Sequence, residues 1–478
     1  MFRLIKVEKS RSELFSTRHS GGSQSFKSVI VGGNATGKTR FIVSLIEAFR
    51  LLSERKNPDR KSTSSRKKKK QFSTDSLAFS YYINGDFVQL RSGPAGLDVT
   101  VDGEKVAPED LPLPTRVVAI SSTINDKFPF ADTDEDDFYR YCGVRETSNA
   151  TWTATLSRRT IENLLNISLR DHQDSIVELF RYLGISTNIE ITFRAKNGKE
   201  LEELINHPDS MMSAVNAYAR ENTRMQVQMF RSFSIEDAQR VCDGLSMAKF
   251  TPRKYLVDVD LRNINADYSD VYYAINVLRR IGAITDVDLN VQKYDSTESY
   301  GFAHSSSGEA QLLYTFSSLI RHAKDNSLIF IDEPEISLHP TWQIRYVGLL
   351  KRALVSFPGC HVIIATHSHF IISDLEQDTS SLHVFEKKDD QLCIRNVEYS
   401  TYAWSADHIL YDVFDVRSIG NLAFENDLAE ALNLIANSTD DHLRLENLKA
   451  KFERLIFNES DPLKKVIDSI TEFVDANH

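Results

Sequence analysis

The feature that most constrains this chain is a glycine-rich stretch at residues 32–39 (GGNATGKT), placed between an apolar strand at residues 28–31 and a helix at residues 38–52. The pattern G-x-x-x-x-G-K-[ST] in this strand–loop–helix context predicts a phosphate-binding loop. Glycine lets backbone amides close around phosphates, and the helix N-terminus favours negative charge. Lys38 is expected to neutralise the β and γ oxygens, and Thr39 to offer its hydroxyl to Mg²⁺. The sequence therefore predicts that ATP and Mg²⁺ bind at Gly32, Gly33, Asn34, Ala35, Thr36, Gly37, Lys38 and Thr39.

A second apolar strand, residues 328–332, ends in two adjacent carboxylates, Asp332 and Glu333. Ligands of parallel α/β sheets lie at the carboxyl ends of the strands. We expect Asp332 to hold Mg²⁺ through water and Glu333 to polarise the attacking water as a general base. The alternative is that the two acids only cap a strand, which the phosphate-binding loop in the same chain disfavours.

Composition excludes a membrane-embedded transporter. Hydrophobic residues make up 41% of the 478 and charged residues 26%, and no apolar run approaches the ~20 residues that cross a bilayer. The first residues have no secretory signal pattern, so we expect a cytoplasmic protein without a membrane partner. The cysteines are widely spaced and have no histidine at ligand spacing, which predicts buried reduced thiols at Cys142, Cys242, Cys360 and Cys393.

Charge is distributed unevenly along the chain. The net charge of −10 does not attract nucleic acid as a whole, so such a contact must use a local patch. Residues 55–70 carry nine Lys or Arg against one Asp and are the candidate for binding nucleic acid, whereas residues 132–137 are acidic. A solvated loop is the alternative for either segment.

Three further motifs accompany the two carboxylates. SSSGEAQ at residues 305–311 comes just before a predicted helix, EISLHP at residues 335–340 follows the carboxylates, and THS at residues 366–368 ends the next buried strand. Taken alone, SSSGE is also the pattern of an ordinary serine N-cap with a glutamate capping box. His367 alone would usually be structural, but its place at a strand end favours a functional role.

In this order, GGNATGKT, SSSGEAQ, LIFIDEPEISLHP and IIATHS resemble the ABC-type ATPases of the OLD, RecF and SMC grouping. The resemblance covers about residues 1–140 and 301–400. It implies that SSSGEAQ is the signature motif, in which Ser306, Gly308 and Glu309 bind the γ-phosphate of a nucleotide held by another copy. It also implies that EISLHP is a D-loop, that His367 is the switch histidine contacting the γ-phosphate, and that the protein is a homo-oligomer, at least a head-to-head dimer.

The chain departs from the family pattern in two places. Ser305 replaces the signature leucine and Ser307 its first glycine, and the segment after residues 117–121 has no glutamine where a Q-loop is expected. Asn125 and Asp126 are the candidates to replace that glutamine. The departures leave metal coordination and the hydrolysis rate open, and slow turnover would be consistent with them.

A finer resemblance concerns residues 122–130 (STINDKFPF) and 139–145 (YRYCGVR), which resemble the ATPase subunits of bacterial anti-phage systems such as Septu and retron-associated relatives. It implies a separate nuclease subunit, for which an HNH protein is the candidate. This chain has no clustered DxD on a strand after His367 and no HNH-like pattern. The alternative is an ATPase that acts on DNA ends, like RecF or SMC heads, although the insertion lacks sustained heptads.

These patterns predict an α/β fold: a P-loop NTPase with an ABC-type ATPase head built on a mixed, largely parallel sheet. We expect residues 1–146 and 301–400 to form the two parts of the head, residues 147–300 to be a mainly helical insertion with returning strands, and residues 401–478 to be a helical C-terminal region.

Overall fold

A computed structural model shows two compact units, Met1–Ala406 and Asp407–His478. The structure describes residues 1–9, 12–17, 24–57, 77–93, 96–123, 126–130, 138–145, 152–222, 230, 232–251, 254–263, 267–296, 298–388, 391–397, 401, 404, 406–414, 422–436, 442–452 and 462–476. Most of the basic segment 55–70, all of the acidic segment 132–137, and Asn125 lie outside the described residues.

A seven-stranded sheet forms the centre of the first unit. Its strands, in spatial order, are β18 (Gln391–Val397), β17 (Ser380–Lys388), β3 (Phe26–Gly32), β16 (His361–Thr366), β15 (Leu328–Asp332), β8 (Val117–Ser121) and β9 (Tyr139–Cys142). All neighbours are parallel except β17 and β18. Every residue of β3, β8, β15 and β16 is buried, as expected for parallel strands that are covered on both faces. The predicted mixed, largely parallel sheet is confirmed.

A six-stranded antiparallel sheet packs over the first helix, α1 (Lys38–Lys56). Its strands, in spatial order, are β2 (Ser12–Ser16), β1 (Phe2–Lys9), β4 (Leu77–Ile83), β5 (Asp86–Gly93), β6 (Gly96–Val101) and β7 (Glu104–Lys105). Phe49 of α1 meets Phe2 of this sheet at 5.9 Å between ring centroids, and Phe41 meets Phe385 of the parallel sheet at 5.4 Å. The helix that follows the glycine-rich loop is therefore held between two sheets by apolar contacts, which stabilise the loop's position.

The insertion combines helices with a five-stranded antiparallel sheet. Its helices are α2 (Trp152–Leu165), α3 (Leu169–Leu183), α4 (Gly198–Asn206), α5 (Pro208–Glu221), α6 (Ile235–Gly244) and α7 (Ser269–Arg280). Its strands, in spatial order, are β11 (Lys249–Phe250), β12 (Tyr255–Asp260), β10 (Asn188–Ala195), β13 (Ile284–Gln292) and β14 (Ser299–Gly301). The sequence predicted that strands return within this insertion. It did not predict the central strand β10, whose pairing with β12 and β13 comes from distant parts of the chain.

Two helices flank the strands that carry the motifs. They are α8 (Ser307–His322), just before β15, and α9 (Pro340–Ala353), between β15 and β16. Most of α8 is buried on all sides, and the buried residues include the polar Gln311, Thr315, Ser317 and Ser318, so the helix shows no single apolar stripe.

The second unit is helical in its described part, as predicted. Its elements are α10 (Ala406–Asp412), which begins at the last residue of the first unit, α11 (Leu422–Ala436), α12 (His442–Phe452) and α13 (Pro462–Ala476). Ala431, Leu448 and Ile470 from three of these helices form a shared apolar core. Across the described parts of both units, no helix is both long and apolar enough to cross a membrane.

Candidate nucleotide site

The glycine-rich loop joins β3 to α1 and carries the backbone conformations that its glycines allow. Gly37, the N-cap of α1, is left-handed at φ 97°, a region that glycine enters without steric cost. A Cβ atom on Gly32 would overlap the carbonyl oxygen of Phe385. The loop therefore needs glycine at Gly32 for space and at Gly37 for conformation.

Lys38 folds back across this loop. Its Nζ donates to the carbonyl oxygens of Gly32 at 2.8 Å and Gly33 at 3.1 Å. Burial lowers the pKa of Lys38 to about 8, against the opposing influence of Glu333, Asp332 and Glu335. A nearby anion would favour the charged form, because an opposite charge raises the pKa of a lysine.

The candidate metal ligands lie side by side. The hydroxyl of Thr39 donates to Asp332, at 3.0 Å from Oδ2 and 3.2 Å from Oδ1. Burial raises the pKa of Asp332 to about 7, so the free carboxylate is destabilised where it stands. A hydroxyl and a buried carboxylate in need of positive charge are a donor set that fits Mg²⁺, which binds oxygen ligands in sites of this kind.

Glu333 is the first residue beyond β15 and has an unusual backbone. Its φ is 50°, a left-handed conformation that costs free energy for a residue with a side chain and is often found at functional sites. Its N–H donates to the carbonyl oxygen of Ala365 at 2.9 Å, which holds this conformation. Its carboxylate stays partly exposed, with Oε1 3.8 Å from Nε2 of His367.

His367 reaches the same place from the end of β16. Its Nε2 lies 2.8 Å from Nζ of Lys38, so the ring accepts a hydrogen bond from the lysine. Burial, followed by the charge of Lys38, lowers the pKa of His367. The structure therefore brings together Lys38, Thr39, Asp332, Glu333 and His367, because β3, β15 and β16 are neighbours that end at one edge of the sheet.

Sequence reasoning assigned no separate role to Glu335, which holds the turn carrying His367. Its buried carboxylate accepts from the Thr366 hydroxyl at 2.8 Å and from the His367 N–H at 2.5 Å. Burial raises the pKa of Glu335. The only signal in the sequence was a third acid directly after Asp332-Glu333-Pro334, and that signal does not reveal which turn the acid would support.

Gln343 of α9 was also missed. Its Oε1 accepts from the Ser368 hydroxyl at 2.6 Å, and its Nε2 donates to the carbonyl oxygen of Leu338 at 2.8 Å. One side chain thus joins the segment before α9 to the turn that follows His367. A glutamine in a surface helix gives no sign of this role in the sequence.

The serine-rich turn at the start of α8 is a capping box. Ser306 accepts from the Glu309 N–H at 3.2 Å, and the Glu309 carboxylate accepts from the Ser306 N–H at 3.1 Å. Glu309 also lies 3.2 Å from Nζ of Lys293. The motif therefore caps the start of α8, as its local pattern predicted, and Ser306 itself stays exposed.

Gly308, within this turn, is closely covered. A Cβ atom there would lie 2.6 Å from Cζ3 of Trp342 and 2.8 Å from the carbonyl oxygen of Ser337. The glycine therefore lets α8 approach the segment before α9. Among the described residues, the side chains of Ser306 and Glu309 each accept from the other's backbone N–H, Glu309 also pairs with Lys293, and neither side chain contacts the glycine-rich loop.

The two residues proposed to replace the Q-loop glutamine are Asn125 and Asp126. Asn125 lies outside the described residues, and Asp126 is buried. The Asp126 carboxylate accepts from the Tyr141 hydroxyl at 2.5 Å and from the Phe128 N–H at 3.0 Å. Asp126 therefore links the two segments of the finer resemblance, residues 122–130 and 139–145.

A parallel sheet that brings a phosphate-binding loop, two strand-end carboxylates and a strand-end histidine to one edge defines an α/β P-loop ATPase of the ABC type. The chain belongs to the family described as "AAA domain, putative AbiEii toxin, Type IV TA system", which it matches over residues 27–373.

Two curated proteins are similar over shorter stretches. The chain is 28% identical over 143 residues to Septu protein PtuA of Bacillus thuringiensis, covering 29% of this chain and 34% of PtuA. It is 34% identical over 82 residues to protein ea59 of Escherichia phage lambda, covering 17% of this chain and 15% of that protein. The matches thus span about a third of the length of the first relative and less of the second.

Solved SMC head domains are similar at low scores. The SMC head domain from Thermotoga maritima has a TM-score of 0.35 at 10% identity, covering 83% of this chain and 100% of that one. The Smc head domain with an extended coiled coil bound to the C-terminal domain of ScpA, from Pyrococcus furiosus, has a TM-score of 0.33 at 11% identity, covering 83% and 96%.

Proposed function

We propose that this chain is the ATPase subunit of a bacterial anti-phage defence complex, acting in the cytoplasm. Two copies meet head to head and bind ATP and Mg²⁺ in composite sites between them. The assembled heads hold and regulate a separate nuclease subunit, for which an HNH protein is the candidate.

The observation that supports this proposal is that the candidate catalytic residues and the signature serine lie apart within one chain. Lys38, Thr39, Asp332, Glu333 and His367 are assembled at one sheet edge, whereas Ser306 is exposed and contacts no residue of that edge. An exposed serine at the N-terminus of a helix is a ready anion-binding group. A second copy would supply it to the nucleotide.

Each residue of the site would then have a distinct role. Phosphate oxygens would replace the carbonyl oxygens and the ring nitrogen that Lys38 now contacts. Thr39 and Asp332 would hold Mg²⁺, which neutralises charge on the β- and γ-phosphates when bound. Glu333 would accept a proton from the attacking water. His367, neutral because its pKa is lowered, would donate its ring N–H to a γ-phosphate oxygen once Lys38 contacts the nucleotide.

The effector part of the proposal is supported by the partial similarity to Septu protein PtuA. The sequence pattern after His367 contains no nuclease constellation. A separate nuclease would therefore supply cleavage, and the ATPase would control when that cleavage occurs.

A complementation experiment tests the composite site. Ser306→Arg copies lose the signature, and Lys38→Ala copies lose the phosphate contact, so each variant alone should be inactive. In a mixed dimer, the intact loop of the Ser306→Arg copy faces the intact signature of the Lys38→Ala copy. Equal mixing should restore hydrolysis to at most about a quarter of the wild-type rate, because half of the dimers are mixed and each has one complete site.

Two results would contradict the composite site: full activity of Ser306→Arg alone, or no recovery on mixing. Mixing either variant with a Lys38→Ala, Ser306→Arg double variant is the matched control and should restore nothing. Size measurements with and without ATP in the Glu333→Gln background report the head-to-head contact independently.

A separate experiment tests the effector. The purified chain should bind ATP but cleave neither DNA nor RNA with Mg²⁺, and cleavage should require a co-expressed partner. Robust cleavage by the rigorously purified chain would reject the separate nuclease. ATP hydrolysis stimulated by DNA ends without any partner would instead favour a DNA-repair ATPase.

Deleting residues 66–70 and comparing nucleic-acid binding across a salt series tests the basic segment.

A further inference from the structure

The signature helix makes a buried hydrogen bond to the segment where a Q-loop is expected. Nε2 of Gln311, in α8, lies 2.5 Å from the hydroxyl oxygen of Ser122. Gln311 is 2% exposed, and its other hydrogen bond, to Thr315 at 3.3 Å, stays within the helix. The Ser122 contact is therefore the polar link that joins this part of α8 to the sheet.

Ser122 stands next to the edge that carries the candidate metal ligand. It follows Ser121, the last residue of β8, and Ser121 pairs in register with Asp332 of β15. A shift of Ser122 would move the end of β8, which is hydrogen-bonded alongside the strand that positions Asp332.

A second contact from α8 holds the same region. The Tyr314 hydroxyl donates to the carbonyl oxygen of Gly143 at 3.2 Å. Residues next to Gly143 are tied to the segment after Ser122, because Arg145 donates to the carbonyl oxygens of Asp126 at 3.1 Å and Phe128 at 2.8 Å. Helix α8 thus contacts Ser122 directly and Asp126 and Phe128 through Gly143 and Arg145, so a displacement of α8 is expected to move these residues with it.

Gln311 lies on α8 between the helix start at Ser306 and the contact with Ser122. Gln311 lies about 7.5 Å along the helix axis from Ser306, the exposed residue at the helix start. In the proposed dimer, Ser306 serves the nucleotide held by the partner, whereas Asp332 serves the nucleotide held by the same chain. The Gln311 to Ser122 contact therefore lies between groups that belong to different sites.

We propose that Gln311 and Ser122 are a positioning pair that couples the two composite ATP sites. Closure of the signature on the partner's nucleotide moves α8, and the Gln311 to Ser122 hydrogen bond passes that movement to the edge holding Asp332. This inference rests on the proposed function, because it requires two sites formed by two copies.

Four variants and one control test the pair in the full-length protein, the fourth being the conservative change Ser122→Thr. Gln311→Met keeps the side-chain length without the hydrogen bond, Ser122→Ala removes the partner hydroxyl, and the double variant completes a cycle. Thr315→Val is the control, since it removes only the contact within the helix. The measurements are the ATP dependence of hydrolysis, binding of a fluorescent ATP analogue, and thermal unfolding.

Wild-type protein and Thr315→Val should show a Hill coefficient above one and up to about two, the number of sites in the dimer. Gln311→Met and Ser122→Ala should each lower it to about one and reduce kcat about tenfold, with analogue affinity changed by less than about twofold. The double variant should match the single variants, because each removes the same link. Ser122→Thr, which keeps a hydroxyl, should restore much of the coupling.

A wild-type Hill coefficient of one would overturn the coupling, as would unchanged cooperativity in Gln311→Met or additive losses in the double variant. The Ser306→Arg and Lys38→Ala mixture separates this failure from failure of the proposed function. If mixing restores hydrolysis but Gln311→Met keeps full cooperativity, the composite site stands and only the coupling is wrong. If mixing restores nothing, the proposed function itself fails.

Discussion

Nζ of Lys38 and Nε2 of His367, 329 positions apart in the chain, meet at 2.8 Å across the candidate nucleotide site. Burial lowers the pKa of both groups, so the lysine donates to a neutral ring. The contact brings the lysine of the glycine-rich loop and the candidate switch histidine to one point.

Substitutions of Lys38 and His367 should nevertheless have different effects on ATP affinity and kcat. Lys38→Ala removes a charge-assisted contact to the phosphates and should weaken ATP binding by about tenfold to a hundredfold. His367→Ala should change ATP affinity by less than about threefold but lower kcat about a hundredfold, because its contact matters most as charge develops. Analogue titration and steady-state kinetics distinguish them. Equal losses of affinity in both variants would contradict separate roles.

Glu333→Gln should keep ATP and Mg²⁺ binding while lowering kcat about a hundredfold or more, because the amide preserves shape but cannot accept the proton. Binding is measured by analogue titration and turnover by phosphate release. Normal hydrolysis by Glu333→Gln would show that another group is the base. Glu430→Ala, in the second unit, where Glu430 pairs with Arg444 on the surface, is the control and should leave turnover unchanged.

Glu335→Ala should lower kcat about tenfold with little change in ATP affinity. The change strands the buried Thr366 hydroxyl and the His367 N–H that now donate to the carboxylate, and each such loss costs about 1–3 kcal/mol. The kcat of Glu335→Gln should lie between those of the wild type and Glu335→Ala, because the amide oxygen still accepts one hydrogen bond. A combined Glu335→Ala, His367→Ala variant no slower than His367→Ala would confirm that Glu335 acts through the histidine. Further slowing would assign it another role.

Gly308→Ala should impair hydrolysis about tenfold or more and destabilise the fold by about 1–3 kcal/mol. The added methyl would lie 2.6 Å from Trp342 and 2.8 Å from the Ser337 carbonyl oxygen, so α8 must move. Gly348→Ala in α9 is the matched control, because a Cβ atom there meets nothing within 4 Å, and helix propensity predicts a gain of up to about 1 kcal/mol. Turnover and chemical unfolding of both variants check this, and equal behaviour would contradict it.

Mg²⁺ binding should weaken as pH falls. Burial raises the pKa of Asp332 to about 7, so near pH 6 most of this carboxylate is protonated before the metal binds. Mg²⁺ affinity at pH 6 should therefore be about tenfold lower than at pH 8.

The folding stability of the metal-free protein should depend on pH in the opposite direction and fall as pH rises. The folded state holds this proton above the unfolded value, so the contribution to folding stability is present at low pH and is lost as pH rises through about 7. Asp332→Asn should abolish both dependences, measured by Mg²⁺ titration and thermal unfolding, and their persistence in that variant would assign them elsewhere.

Sequence alone determined the class of fold and the position of the candidate nucleotide site. Local patterns predicted these features, because residues close together in the sequence determine each of them. The features are the glycine-rich loop, the buried strands ending in Asp332 and Thr366, and the capped start of α8. Since all parallel strands of one sheet end at the same edge, these patterns also predicted that the loop, the carboxylates and His367 would meet there.

Only the tertiary structure decided which side chains support that edge. Gln311 bonds to Ser122 across 189 positions, and Glu335 bonds to Thr366 across 31, so neither contact leaves a local pattern. The strand β10 escaped prediction for the same reason, since both of its partners come later in the chain after helices. The left-handed backbone of Glu333, supported by the carbonyl oxygen of Ala365 in the neighbouring strand, is likewise imposed by packing. Periodicity reports which face of an element is buried, but the partner of a buried polar group is chosen by whatever the folded chain brings within hydrogen-bond distance.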